Sequence, residues 1–117
     1  MSYSEPSKSL INQEEGHEND SLPDIDYYQL KKAALVLRAL NHKLRQQIIR
    51  TIIESKKLTV TDLYVRLRLE QSVASQHLAI LRKAGIVTTE RNGKFIYYTI
   101  NSSRIEAINE FVKNLLG

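Results

Sequence analysis

In a chain whose apolar residues otherwise recur at helical spacing, the run IVTTERNGKFIYYTI, residues 86–100, constrains the fold most. Asn92-Gly93 lies between two stretches of β-branched and aromatic residues. Asn-Gly is the dipeptide a two-residue type I′ turn favours, because both central residues take positive φ. The run therefore reads as a β-hairpin, with Ile96, Tyr98 and Ile100 on one face and Phe95, Tyr97 and Thr99 on the other. Arg91 and Lys94 bracket its tip.

Helices surround it. Residues 25–40 place Tyr28, Leu30, Ala34, Leu37 and Leu40 near helical spacing, with Asp24 and Asp26 suited to the first turn. Asn41 reads as the N-cap of a second helix, with Leu44, Ile48, Ile49 and Ile52 inward and Lys43, Arg45 and Arg50 outward. In LTVTDLYVRL, Thr59 and Asp62 form a weak capping-box variant, and Val60, Leu63, Val65 and Leu67 supply an apolar side. Leu69, Glu70 and Gln71 make a short turn into a fourth helix that stops at Gly85. A last helix begins near Asn101, with Ser103 and Glu106 at capping-box spacing and an apolar stripe of Ile105, Ile108, Val112 and Leu115. A short helix turning into a second helix, followed at once by a hairpin, predicts a mainly α winged helix-turn-helix with about five helices and one two-stranded wing.

The fourth helix opens unusually. Gln71, Ser72, Val73, Ala74, Ser75 and Gln76 are small or polar and uncharged, where a surface helix normally carries Glu and Lys. At 100° per residue, Ala74, Leu78 and Leu81 cluster as a core stripe, while Ser72, Gln76, Ala79 and Lys83 lie opposite, with Ser75 on their shoulder. A helix that enters the major groove needs small residues for close approach and amides or hydroxyls for base edges. The candidate DNA-binding residues are therefore Gln71, Ser72, Ser75, Gln76, Ala79 and Lys83, with Arg91, Asn92 and Lys94 of the wing. Lys83 is placed for a phosphate.

Charge points the same way. Residues 1–26 carry one Lys against seven acids, a net of −6, and the remainder is +10. A basic body of this size suits a polyanion. Residues 1–22 lack periodicity and read as a disordered acidic tail ahead of a single domain over 23–117. There is no cysteine, which removes disulfides, thiol switches and thiolate metal sites. No apolar run approaches a membrane span and no signal-peptide layout opens the chain, so the expectation is a soluble cytoplasmic protein. A Gly-rich phosphate loop, an HExxH and a Ser-His-acid arrangement are all missing, so the chain reads as no enzyme and as needing no cofactor.

On these residues the chain resembles the ArsR/SmtB family of bacterial winged-helix repressors. The matching stretches are LRALNHKLRQQII, LTVTDLYVRLRLEQSVASQHLAILRKAGIV and RNGKFIYYTI. The combination Ser75-x-His77-Leu78-x-x-Leu81-x-x-Ala84-Gly85-Ile86-Val87, followed by a basic Asn-Gly wing, carries most of the likeness. The resemblance covers roughly residues 27–116 and implies a homodimer held by its first and last helices. It also implies binding to an imperfect palindrome at a promoter, and repression relieved by an inducer. The sequence departs from the family's metal sensors. Thr59, Val60 and Thr61 stand where many relatives have Cys-Val-Cys. Asn101, Ser103 and about Asn114 stand where others have ligands in the last helix. Hydroxyls replace thiolates poorly for soft metals, so neither metal site is expected and the inducer is unassigned.

The expected dimer face is Tyr28, Leu30, Leu37, Ile108, Val112 and Leu115, more apolar surface than the rest of a winged helix covers. His77 and His42 read as packing or capping residues. His17, among Glu14, Glu15, Glu18 and Asp20, offers donors for a hard or borderline metal, but a floppy tail is no preformed site. Two alternatives to a DNA-binding repressor follow: a dimeric protein-interaction module without specific DNA binding, and a metal sensor that uses the His17 tail.

Overall fold

The computed structural model describes residues 23–117, and the tail and His17 readings lie outside the described residues. Five helices and one hairpin follow in order: α1 (Tyr27–Leu40), α2 (Lys43–Ser55), α3 (Val60–Leu67), α4 (Gln71–Lys83), β1 (Val87–Asn92), β2 (Phe95–Ile100) and α5 (Ser102–Leu116). The described residues divide into two units between Leu30 and Lys31. In the described part of the first, the Asp26 carboxylate accepts from the Gln29 N–H at 3.1 Å, so Asp26 precedes the helix as a cap rather than occupying its first turn.

In the second unit, Ile48 and Ile52 of α2, Leu63 of α3, Leu78 and Leu81 of α4, and Ile86 and Val87 at the start of the hairpin form the core. Each comes from the apolar side its periodicity marks. Val65 is the exception: 65% exposed, it turns away from the core, and Tyr64 packs there instead. Two turns of helix offer one narrow buried face, and Leu63 and Leu67 already define it.

Local bonds set the ends of the helices. The α3 capping box is complete, with Asp62 N–H on Thr59 Oγ1 at 3.1 Å and Thr59 N–H on Asp62 Oδ2 at 3.2 Å. α4 ends in a Schellman motif: Gly85 N–H donates to Arg82 O at 2.9 Å and Ile86 N–H to Leu81 O at 3.0 Å. Gly85 takes φ +76°, and a β-carbon there would approach Arg104 Nη2 to 2.8 Å. The turn from α3 to α4 closes by the same motif with Arg68 in the left-handed position, φ 56°. It occupies residues 68–70, one residue earlier than expected, and Gln71 already belongs to α4.

Other ends differ from expectation. The cap of α2 is His42, not Asn41: its ring Nδ1 accepts from Arg45 N–H at 3.4 Å. The cap of α5 is Asn101 rather than a Ser103–Glu106 box. Its side-chain oxygen accepts from Arg104 N–H at 3.3 Å and from the Ser103 hydroxyl at 2.9 Å, while its amide donates to Gly85 O at 3.0 Å. Asn101 prevails because it also ties α5 to the end of α4.

The hairpin is present, but its turn is Gly93-Lys94, with Asn92 paired to Phe95. Only Gly93 takes positive φ, 66°, which is the II′ pattern rather than I′. An Asn92-Gly93 turn would set Arg91 directly across from Lys94. In the observed register Arg91 faces Ile96, which avoids like charges in one cross-strand pair. Leu58 adds a bridge to the wing, exchanging backbone bonds with Tyr98 at 2.7 and 3.2 Å.

Candidate nucleic-acid interface

α4 divides sharply into two faces. Ala74, Leu78 and Leu81 are buried, and Gln71, Ser72, Ser75, Gln76, Ala79 and Lys83 are exposed. Residues 71–89 contain no acid, although the exposed N-cap Glu70 directly precedes them. Leu78, 1% exposed, anchors the helix from beneath. Because the buried stripe fixes its rotation, the small polar face must point outward.

Arg91, Asn92 and Lys94 are exposed at the wing tip. The second wing face is stiffened by its own contacts. Phe95 and Tyr97 rings lie 6.3 Å apart, Lys94 Nζ sits 5.5 Å over the Phe95 ring, and the Thr88 and Thr99 hydroxyls are 2.8 Å apart. Lys57, a cation the sequence reading passed over, stands 4.8 Å over Tyr97 and 3.8 Å from Glu90. The Leu58–Tyr98 bridge brings it there, and no local signal marks a pairing between residues so far apart.

Arg45 is the second residue the sequence misplaced. Instead of facing solvent it is half-buried, donating from Nε to Ala39 O at 2.7 Å and from Nη2 to Arg38 O at 3.2 Å. Its Nη1 lies 3.1 Å from His77 Nδ1. A guanidinium only donates, so His77 Nδ1 accepts and the neutral ring carries its proton on Nε2. His77 thus packs as expected, and Arg45 ties the end of α1 to the middle of α4. The His42 ring stands 4.9 Å from that of His77.

Burial, then the charges of His42 and Arg45, hold the His77 imidazole below its ordinary value of 6.5. The unfolded chain therefore binds this proton more readily than the folded one. Stability is full above the unfolded value and is lost as pH falls from about 6.5 through the lower folded value. We expect the melting temperature to drop between about pH 7 and pH 5, and His77→Gln, which keeps an acceptor for Arg45, to flatten that drop. An equal drop in the variant would assign the effect to other groups.

Residues 42–89 match the family described as bacterial regulatory protein, arsR family. The chain is 37% identical over 84 residues to the transcriptional activator HlyU of Vibrio cholerae, covering 72% of this chain and 77% of that one. It is 36% identical over 84 residues to the transcriptional repressor PagR of Bacillus anthracis, covering 72% and 84%. The crystal structure of PagR superposes with a TM-score of 0.60 at 33% identity, covering 74% of this chain and 99% of that one.

Proposed function

This chain belongs to the arsR family of bacterial regulatory proteins, and from that premise we propose that it regulates transcription as a homodimer on an imperfect DNA palindrome. The outward small polar face of α4, beside a basic wing, carries the reading. Gln71 and Gln76 bring amides suited to adenine, Ser72 and Ser75 bring hydroxyls, and Ala79 allows close approach. Lys83, Arg91 and Lys94 supply the phosphate contacts that set register, with Asn92 beside them at the tip. We read it as a repressor that acts by occupying a promoter. Its place is the cytoplasm, with the DNA, and no helix among the described residues is long and apolar enough to cross a membrane.

The dimer reading rests on α5. None of its fifteen residues is buried, although Ile105, Ile108, Val112 and Leu115 form an apolar stripe. A helix of this length draws most of its stability from a packed face. Pairing through Leu37, Ile108, Val112 and Leu115, with Tyr28 and Leu30 of α1, supplies that packing. It sets two α4 helices about one DNA turn apart, roughly 34 Å.

The family's thiolate sensing does not fit this chain. The Thr59 hydroxyl is committed to the Asp62 N–H, and no cysteine is available.

Selection of duplexes from a random pool tests the reading, with a recovered palindrome as the expected result. Gln76→Ala should relax preference at one position per half-site, at about 1–3 kcal/mol. Lys94→Ala should weaken all sequences alike and flatten the salt slope by about one unit per monomer. A pool that yields no enriched sequence would favour the protein-interaction module instead.

A further inference from the structure

A cleft in the Lys31–Gly117 unit joins an apolar floor to exposed cations. It lies where the middle of α1, the last turn of α4 and the first turn of α5 meet, with a volume of about 380 Å³. Leu35, Val36 and Ile80 line the floor, Lys32, Lys83 and Arg104 stand around it, and no acid lines it. Leu35 is 55% exposed, a large apolar side chain left in water beside these charges.

Arg104 is held ready. Its Nε donates to Ala84 O at 3.2 Å, and the guanidinium lies against Gly85, where only a glycine leaves it room. Among the described residues no carboxylate pairs with Arg104 or Lys83. Its terminal amino groups remain free to take an anion, and a guanidinium grips a carboxylate through two parallel bonds. An apolar floor beside an oriented guanidinium matches a ligand with a carboxylate head and a hydrocarbon body. The volume falls within the ordinary range for small-ligand sites. None of the residues assigned to the dimer face lines this cleft.

We propose that the cleft is an effector site for an amphiphilic monocarboxylate, its head between Arg104 and Lys83 and its chain over Leu35 and Ile80. The proposal rests on the DNA reading of Lys83. A carboxylate that engages Lys83 takes up a charge the phosphate backbone would use, so ligand and DNA weaken each other's binding, and reciprocally.

Decanoate, below its micelle concentration, is the probe, with acetate as the head alone and decanol as the tail alone. On the isotope-labelled, DNA-free protein, decanoate should saturably shift the amide resonances of Leu35, Ile80, Ala84 and Arg104, with the two controls at least about tenfold weaker. Decanoate should lower affinity for the selected duplex by about fivefold or more. Arg104→Gln should weaken decanoate about tenfold and abolish its effect on DNA, while leaving DNA affinity without decanoate unchanged. Leu35→Gln, an uncharged polar change at an exposed position, should do the same should Arg104→Gln prove unstable. Equal binding of decanol, resonance shifts elsewhere, or an undiminished response in both variants would overturn the site. A protein that binds no duplex at all would overturn the regulator reading and the coupling, and the resonance experiment would still decide the carboxylate site.

Discussion

Val112→Asp is expected to give a folded monomer that holds a palindromic duplex no more tightly than it holds a half-site. Val112 is half-buried on a helix where Phe111 is 45% and Leu115 is 66% exposed. At a two-fold interface each substitution appears twice, so two carboxylates enter one apolar contact. Neither finds a partner there, and each must be desolvated. The fully buried core residues Ile48, Ile52, Leu63, Leu78, Leu81 and Ile86 all belong to other elements, and α5 reaches that core through Ile105 and Ile108 rather than Val112. The fold should persist, with fraying confined to α5. Losing the second half-site removes a linked binding event, on the order of 10²–10⁴ in affinity. Sedimentation and duplex titration check both halves. A variant that still sediments as a dimer would show that α5 is not the interface.

Leu78→Ala should produce the largest loss of stability, about 3 kcal/mol, within the 2–5 range for buried leucines. Leu78 is 1% exposed and lies in the core cluster with Ile48, Leu63 and Leu81. A cavity there cannot fill without moving α4, the element that carries the polar face. For a domain of this size each kcal/mol shifts the melting point by roughly 4–8 °C, so a fall of about 15 °C is expected. Affinity for DNA should fall too, through the population of well-docked α4. A change under about 1 kcal/mol would mean that the site collapses around the smaller side chain.

The parts of this fold legible from the amino-acid sequence are those that local bonds determine. The two faces of α4 follow from helical period alone. Its end follows from Gly85, whose motif closes within five residues, and the Thr59–Asp62 box closes within three. The hairpin was announced by its flanks, because β-branched and aromatic runs around a glycine have few other outcomes.

Its register was not, since the choice between Asn92-Gly93 and Gly93-Lys94 depends on which residues then face each other across the strands. Nor could the sequence show that Arg45 turns inward, because its partner His77 is thirty-two residues away. Of the two cap candidates for α2, His42 prevails over Asn41, and Asn101 caps α5 while also bonding to Gly85. The Leu58–Tyr98 bridge and the cleft around Arg104 likewise join residues far apart in the chain. The local sequence admits more than one solution at these positions. The choice among them falls to contacts that exist only once distant segments have come together.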